Sequence, residues 1–312
     1  MFLRSFSMIV PTLTLLGAHP ARLSSVVPSA PERLVAEGEI RMVSDQPQVY
    51  LPVTLHGHTG TVVLCFIQLG GGLSLSGPKL TKLGVAPPAA GTLDSMTFGT
   101  TLLHNVAVQM GQWPLTALDQ PGLPPVIGLV GWEFLAHYDV VVDGPAHRVR
   151  LYTLAPLSPA PGNAGTTTLP PGVHAADCTP TLPTPEGDPG FAIQADGHPV
   201  IAVLQTGHPY TVMNTVAARL LGLTQHSPNV QAIPDSLQTR YYQNVPDKYL
   251  VTGIHLTLGR YPFTEIPIHI LARAPLEPTP TTPTIELKVD NLLAQIFVLS
   301  NSTGQVCLGE PR

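Results

Sequence analysis

The sequence predicts an all-β protein that consists of two copies of one β-rich unit in tandem. The first observation behind this prediction is the composition: 44% of the 312 residues are hydrophobic, only 11% are Asp, Glu, Lys or Arg, and 35 are Pro. This much apolar material excludes a charged disordered chain, and this much proline excludes a coiled coil or a helical bundle. Because the net charge is −5 and only 15 residues are basic, we expect no nucleic-acid partner.

The second observation is that the two halves of the chain repeat the same order of features. Each half has two strands joined by a tight turn, at Gly57-His58 and at Gly197-His198, which is a hairpin pattern. A Gly-containing loop, a short amphipathic helix that ends in Leu-Gly, and a second strand pair follow in both halves. The corresponding segments are 49–55, 62–64, 78–84, 95–99 and 103–108 in the first half, and 191–195, 200–204, 216–222, 254–259 and 263–270 in the second. The repeated order predicts two copies of a unit of about 120 residues.

A proline-rich stretch separates the two units. Residues 156–190 contain nine prolines and almost no hydrophobic periodicity. Because proline lacks an amide N–H and has a fixed φ, we expect this stretch to continue neither a sheet nor a helix, and to act as an extended linker. The predicted organisation is therefore a first unit over residues 35–155, the linker over 156–190, and a second unit over 191–310.

The N-terminus predicts export. Arg4 precedes an apolar run from Phe6 to about Gly17, which is the layout of a secretory signal peptide over residues 1–21 and is too short to span a bilayer as a helix. The alternative is a misassigned start, with the chain beginning at Met8. We expect an exported protein, in the bacterial periplasm or secreted, with no membrane span in the mature chain.

The three cysteines, Cys65, Cys178 and Cys307, are widely spaced and odd in number. They predict no disulfide framework, and the absence of a C-x-x-C pair predicts no zinc site. In an exported protein one pair could form, but the sequence does not choose which. We expect neither a metal nor another cofactor.

The repeated unit resembles the retropepsin-like aspartic proteases, including exported bacterial members that carry two such units in one chain. Residues 127–135, Ile-Gly-Leu-Val-Gly-Trp-Glu-Phe-Leu, match the late Gly-Leu-Leu-Gly-type segment of that family, and residues 137–152 look like its terminal strand pair. Residues 290–293 and 302–308 look like a shortened version in the second half. The resemblance implies two retropepsin-like β-barrel lobes, each with a short helix, that pair within the chain as a pseudodimer. It also implies a groove between the lobes for an extended peptide.

The main departure from that family lies at the catalytic loop. In the family the second strand ends in Leu-Asp-Thr-Gly, and in the second half this sequence becomes Leu204-Gln205-Thr206-Gly207. In the first half, counting from the Gly-His turn without gaps puts Cys65 opposite Gln205. Matching the glycine instead puts Gln68-Leu69-Gly70 on the motif, and the sequence leaves both alignments open. Neither alignment places an aspartate at the position of the family's catalytic aspartate, which we call the slot.

This departure decides the predicted function. Aspartic proteolysis needs two carboxyl groups that share one proton, one acting as base toward water and the other as acid toward the carbonyl oxygen. A Gln side chain has a similar shape but cannot take or return a proton. The sequence therefore predicts a pseudoprotease that binds a peptide or a partner protein without cleaving it. The residues expected to line the binding site are Gln205, Thr206, Gly207, Gln68, Leu69 and Gly70.

Two alternatives remain open at the level of sequence. The first is a hydrolase of the same fold with residual activity or with activity that depends on Cys65, whose thiolate would need a base nearby. By loop position, the candidate bases are His56, His58, His104 and His208. The second alternative is a purely structural or interaction module.

Overall fold

The computed structural model describes residues 34–43, 46–65, 72–88, 91–111, 115–154, 169–170, 172–184, 188–205, 210–233, 248–263, 266–271 and 281–310. Within these ranges the chain forms 22 β-strands and only short helices, which confirms the predicted all-β fold with a short helix in each half. The predicted signal peptide over residues 1–21 lies outside the described residues. No helix in this part of the chain has both the length and the apolar composition that a membrane span requires.

The elements follow the order expected from the repeat. Those of the first half are β1 (Leu34–Val43), β2 (Gln46–Leu55), β3 (His58–Leu64), β4 (Leu73–Ser76), α1 (Gly77–Leu83), β5 (Thr92–Phe98), β6 (Thr101–Ala107), β7 (Gln109–Gly111), β8 (Val126–Val130), α2 (Trp132–Leu135), β9 (Tyr138–Asp143) and β10 (Arg148–Thr153). Those of the second half are β11 (Val173–Pro183), β12 (Pro189–Ala195), β13 (His198–Gln205), β14 (Thr211–Asn214), α3 (Thr215–Leu220), β15 (Val230–Ala232), β16 (Lys248–Val251), β17 (Leu256–Leu258), β18 (Tyr261–Pro262), β19 (Ile268–Leu271), β20 (Thr284–Lys288), β21 (Ile296–Ser300) and β22 (Gln305–Gly309).

Each half repeats one pattern of strand pairing. In the first half β2 and β3 form an antiparallel hairpin, β3 runs parallel to β8, and β8 runs antiparallel to β4, which is parallel to β7. In the second half the pairs β12–β13, β13–β20, β20–β14 and β14–β19 repeat these four relations in the same order. The ends of β3 and β13 are buried, with Val62–Leu64 at the end of β3 and Ala202–Leu204 before Gln205 in β13, because both faces of these strands are covered.

The predicted linker contains a strand. Val173–Pro183 forms β11, which pairs with β22 at residues 178–180 and with β12 at residues 181–183. The strand β1 pairs in the same way with β10 and β2 in the first half. The prediction that residues 156–190 cannot continue a sheet is therefore wrong for this segment.

The prolines of β11 are compatible with the sheet because each stretch of the strand has one partner strand. A proline then need not break a ladder bond, since its missing N–H can face away from the partner. Residues 155–168 of the predicted linker lie outside the described residues. The division of the chain into two lobes and a linker stays a prediction.

The two halves are joined by one continuous run of strands. Strand β9 pairs antiparallel with β21, with Asp143 opposite Ile296 and Val140 opposite Leu299. The neighbouring strands extend this pairing into the order β1-β10-β9-β21-β22-β11. Apolar side chains from both halves also belong to one main core. Backbone hydrogen bonds and apolar packing therefore both link the halves.

Gly128, in the middle of the motif at residues 127–135, lies where β8 passes between β3 and β4. A Cβ atom on Gly128 would overlap the carbonyl oxygen of Ser74 and approach Leu75 Cδ2 to 2.6 Å. We expect Gly128→Ala to lower the free energy of unfolding by about 1–3 kcal/mol, as overpacking in a core does. Urea unfolding measures this change. The matched control is Gly77→Ala at the start of α1, where the nearest atom lies at 3.8 Å. Equal stability of the two variants would contradict the prediction.

Candidate functional site

The slot of the second half lies at the end of β13. Gln205 is the last residue of this strand, is only 1% exposed, and pairs through its backbone with Lys288 on β20. Leu204 before it belongs to the main core, and because side chains alternate along a strand, Gln205 faces the other side of the sheet. Thr206 and Gly207 of the predicted site lie outside the described residues.

The pairing registers identify the residue of the first half that corresponds to Gln205. In the second half Ile285 of β20 pairs with both Ala202 and Met213. In the first half Gly128 of β8 pairs in the same way with Val62 and Leu75. Val62 therefore corresponds to Ala202, and the residues three positions further along are Cys65 and Gln205.

The loops that follow the two slots differ in length, which is why the sequence left two alignments open. The residue before each helix is Ser76 for α1 and Asn214 for α3. Ser76 follows Cys65 by 11 positions, whereas Asn214 follows Gln205 by nine. Two additional residues therefore lie in the first-half loop. Gln68, Leu69 and Gly70 fall within it and lie outside the described residues.

The described ends of the first-half loop are held by the strand β8 and by α2. The N–H of Cys65, whose side chain is buried, donates to the carbonyl of Val130 at 2.7 Å, and the N–H of Gly131 donates to the carbonyl of Gly72 at 2.6 Å. Gly72 has a φ of +74°, and a Cβ atom there would lie 2.9 Å from the backbone nitrogen of Phe134. Glycine is therefore required where this loop passes against α2.

In the second half, hydrogen bonds from polar side chains of β14 fix the segment between β13 and α3. Thr211 Oγ1 accepts hydrogen bonds from the backbone N–H of Lys288 at 3.2 Å and from Asn291 Nδ2 at 2.9 Å. Asn214 caps α3 by accepting from the N–H of Ala217 at 2.9 Å, and its Nδ2 donates to the carbonyl of Thr282 at 2.8 Å. Our reading of the sequence missed these residues, although an Asn immediately before a helix is a recognisable N-cap pattern.

A buried carboxyl group lies near the slot, and sequence reasoning missed it as well. Glu286 is 8% exposed and pairs with Val203 of β13 and with Val212 of β14. Because strand side chains have a period of two, Glu286 shares a sheet face with Val203 and Gln205. The Val203–Glu286 pair lies two residues before the Gln205–Lys288 pair, which is about 7 Å along the strands. The acidic side chain is therefore displaced from the slot.

His269 and Tyr210 stack in the same region of the second half. Their ring centroids lie 4.0 Å apart with an interplanar angle of 14°, and His269 pairs with Val212 on β14. Burial lowers the pKa of the His269 imidazole from 6.5 to about 4, because a buried ring disfavours its charged form. His269 is therefore neutral at neutral pH.

The histidines proposed as partners of Cys65 are not all within its reach. His56 and His58 lie at the turn between β2 and β3, whereas Cys65 follows the other end of β3. The seven residues of β3 separate these ends by about 20 Å, so neither histidine can act as a base for Cys65. His104 is an exposed residue of β6, and His208 lies outside the described residues.

The structure forms one disulfide, between Cys178 on β11 and Cys307 on β22. Cys65 is not part of it. In the described ranges, no group of three or more His, Cys, Asp or Glu side chains is arranged to hold a metal ion.

No family model matches the sequence, and no curated protein matches it. Solved structures that are similar to the chain include the basic 7S globulin from soybean, at 12% identity over 89% of this chain and 95% of that chain, with a TM-score of 0.40. Conglutin gamma, a basic 7S globulin from lupine seeds, is 12% identical over 89% and 95%, with a TM-score of 0.46. An aspartic proteinase from Irpex lacteus is 9% identical over 88% and 96%, with a TM-score of 0.49. At these identities the likeness is one of fold alone.

Proposed function

We propose that the chain is a catalytically inactive protein with an aspartic-protease-like fold that holds an extended peptide, or a segment of a partner protein, between its two halves. The observation that carries this proposal is the pair of corresponding strand ends. The pairing registers align Cys65 with Gln205, and neither residue has a carboxyl group.

The chemistry of these two side chains explains why cleavage is not expected. In an aspartic protease, two carboxyl groups about 3 Å apart share one proton, so that an acid and a base are present at one pH. The amide of Gln205 does not ionise in the accessible pH range and so cannot act as an acid or a base. Cys65 is buried and also has no carboxyl group. The water-activating pair is therefore missing.

The retained architecture supports binding. Both halves have the strand and the short helix in the same order, and one sheet connects them. An extended peptide can be held in such a setting by backbone hydrogen bonds, which do not require the missing carboxylates. On this proposal the loops after Cys65 and Gln205, including Gln68-Leu69-Gly70 and Thr206-Gly207, line the groove. Export of the protein is part of the same proposal.

Peptidase activity is tested first. We expect the purified full-length protein to leave an unfolded polypeptide intact over about pH 3 to 6, the range in which carboxylate dyads work. Cleavage that pepstatin blocks would overturn the proposal. Cleavage that pepstatin leaves unchanged, but that Cys65→Ala abolishes, would instead identify a thiol-dependent hydrolase.

Binding is tested with fluorescent extended peptides and fluorescence anisotropy. We expect Gln205→Trp to weaken the binding of a peptide ligand by about tenfold or more, because the larger side chain does not fit at this buried position and would displace the residues that line the proposed groove. The matched control is Met42→Trp, at an exposed position on β1, which should leave the affinity unchanged. If no peptide binds, or if Gln205→Trp binds as tightly as the control, the groove is not a peptide site.

A further inference from the structure

We propose that the Cys178–Cys307 disulfide is a site of thiol–disulfide exchange, at which a dithiol attacks Cys178 and thereby releases strand β11 from β22. The inference is independent of the proposed peptide groove. The disulfide joins residues that lie directly opposite each other on these antiparallel strands. It connects positions 129 residues apart in the sequence, at the first and last strands of the second half.

The repeat within the chain gives a reference for this position. The hairpins β9–β10 and β21–β22 correspond, because Arg148 pairs with Asp143 and Gln305 pairs with Ser300 across turns of equal length. Strand β10 pairs with the outer strand β1, and β22 pairs with the outer strand β11. Residues that follow Arg148 and Gln305 by the same number of positions therefore occupy equivalent places in the two halves.

The disulfide occupies the position of an ion pair in the first half. Arg150 and Cys307 each lie two residues beyond these reference positions, and their partners across the ladder are Glu37 and Cys178. In the first half Arg150 Nε donates to Glu37 Oε2 at 2.7 Å, in a contact with partly exposed side chains. The first half thus holds its outer strand by a reversible contact, and the second half holds its outer strand by a covalent bond.

The backbone pairing makes β11 depend on this bond more than β1 depends on its ion pair. Strand β1 pairs with β10 without interruption from Ala36 to Glu39. Strand β11 pairs with β22 only at Val173 and at residues 178–180, with a register shift between them. After reduction, this short run of backbone pairing alone would therefore hold residues 178–180 on β22.

Asp177 also holds this part of β11. Its carboxylate accepts from Arg260 Nε at 3.1 Å, from Arg260 Nη2 at 3.1 Å and from the buried hydroxyl of Tyr261 at 3.3 Å, and Arg260 is itself about half exposed. Ion pairs with an exposed partner are weak in water. We therefore expect these contacts to slow the release of β11 without preventing it, while the pairing of residues 181–183 with β12 keeps the strand attached at its other end.

The burial of the two sulfur atoms gives the exchange a direction. Cys178 is partly exposed on the outer strand, whereas Cys307 is fully buried among Val141, Val173, Ile296 and Val298. A thiolate of the dithiol would attack Cys178 Sγ, a new S–S bond would form there, and the bond to Cys307 Sγ would break. Cys307 leaves as a thiolate and takes up a proton. The second thiol of the dithiol then attacks the mixed disulfide, releases Cys178, and leaves the dithiol oxidised by two electrons.

The experiment uses the full-length oxidised protein under native conditions. With glutathione as a monothiol probe, we expect the mixed disulfide at Cys178 and not at Cys307, as read by mass spectrometry of the trapped adduct. With dithiothreitol, we expect amide exchange in residues 178–181, the part of β11 that pairs with β22, to accelerate by about tenfold or more, because local opening becomes easier. Exchange in residues 36–39 of β1 should stay unchanged.

Three results would overturn the inference. They are a glutathione adduct on Cys307, a reduction that occurs only when all segments exchange together, and a reduced protein whose residues 178–181 exchange as slowly as in the oxidised form. The double variant Cys178→Ser/Cys307→Ser should reproduce the fast exchange of the reduced protein without reagent. If that variant does not fold, stepwise reduction of the wild-type protein decides the question.

Discussion

Replacing Asp139 by alanine is expected to lower the free energy of unfolding by about 3 kcal/mol, because it removes two hydrogen bonds that a buried carboxylate makes between the halves. Asp139 lies on β9 and is 4% exposed. Its Oδ1 accepts from the N–H of Ser302 at 2.9 Å, and its Oδ2 accepts from the hydroxyl of Ser302 at 2.6 Å. Beside this pair, Asn301 Nδ2 donates to the carbonyls of Leu135 at 3.1 Å and of Tyr138 at 2.6 Å. The change would be measured by denaturant unfolding at neutral pH.

Two control variants separate the hydrogen bonds from other effects of the substitution. Asp139→Asn keeps the shape and one acceptor oxygen, so about half of the loss is expected. Asp94→Ala removes an exposed carboxylate from β5 and should change the free energy of unfolding by less than about 0.5 kcal/mol. If Asp139→Ala is as stable as Asp94→Ala, the cross-half hydrogen bonds make no net contribution.

The second large effect concerns pH. The pKa of His269 is about 4 in the folded protein and 6.5 in the unfolded chain, so the unfolded state binds more protons between these values. Stability is therefore fully present above pH 6.5 and falls as the pH is lowered toward about 4. The difference between the two pKa values corresponds to a loss of about 3 kcal/mol. Denaturant unfolding at a series of pH values measures the slope.

The neighbours of His269 determine which controls are informative. Tyr210 stacks on its ring, Glu286 lies across Val212 on β20, and Lys248 lies on the adjacent strand β16. His269→Gln removes the imidazole. The free energy of unfolding of this variant should therefore depend less steeply on pH than that of the wild type, whatever its value at neutral pH. The exposed His226→Gln variant should retain the wild-type slope. Parallel profiles for His269→Gln and the wild type would show that the slope comes from other groups.

Local features of the fold could be predicted from the sequence because they depend on residues close together in the chain. The turns before His58 and His198 have positive φ values at Gly57 and Gly197, and the strands β3 and β13 begin where the Gly-His pattern indicates. The C-cap of α1 is Gly84 in the left-handed conformation, as its Leu-Gly ending predicted. The strand predicted over residues 263–270 was less successful: β19 covers Ile268–Leu271, and β18 ends at Pro262.

Features that depend on distant partners could not be predicted. Strand β11 lies in the most proline-rich part of the chain, and its place in the sheet is set by β22, which follows about 130 residues later. The choice of Cys178 and Cys307 as the disulfide pair has the same origin, since it depends on the register between these strands. Nothing local in either segment encodes that register.

By itself, the sequence determined the all-β fold and the repeat of the two halves, and it led to the prediction that no aspartate occupies the positions where the resemblance would place it. These conclusions rest on composition, on period-two patterns and on residue identity, which need no tertiary information. Only the tertiary structure decided that Cys65 is the counterpart of Gln205, because two extra residues in the first-half loop make counting along the chain ambiguous. Pairing with β8 and β20 removes that ambiguity, since backbone hydrogen bonds fix the register of each strand regardless of loop length.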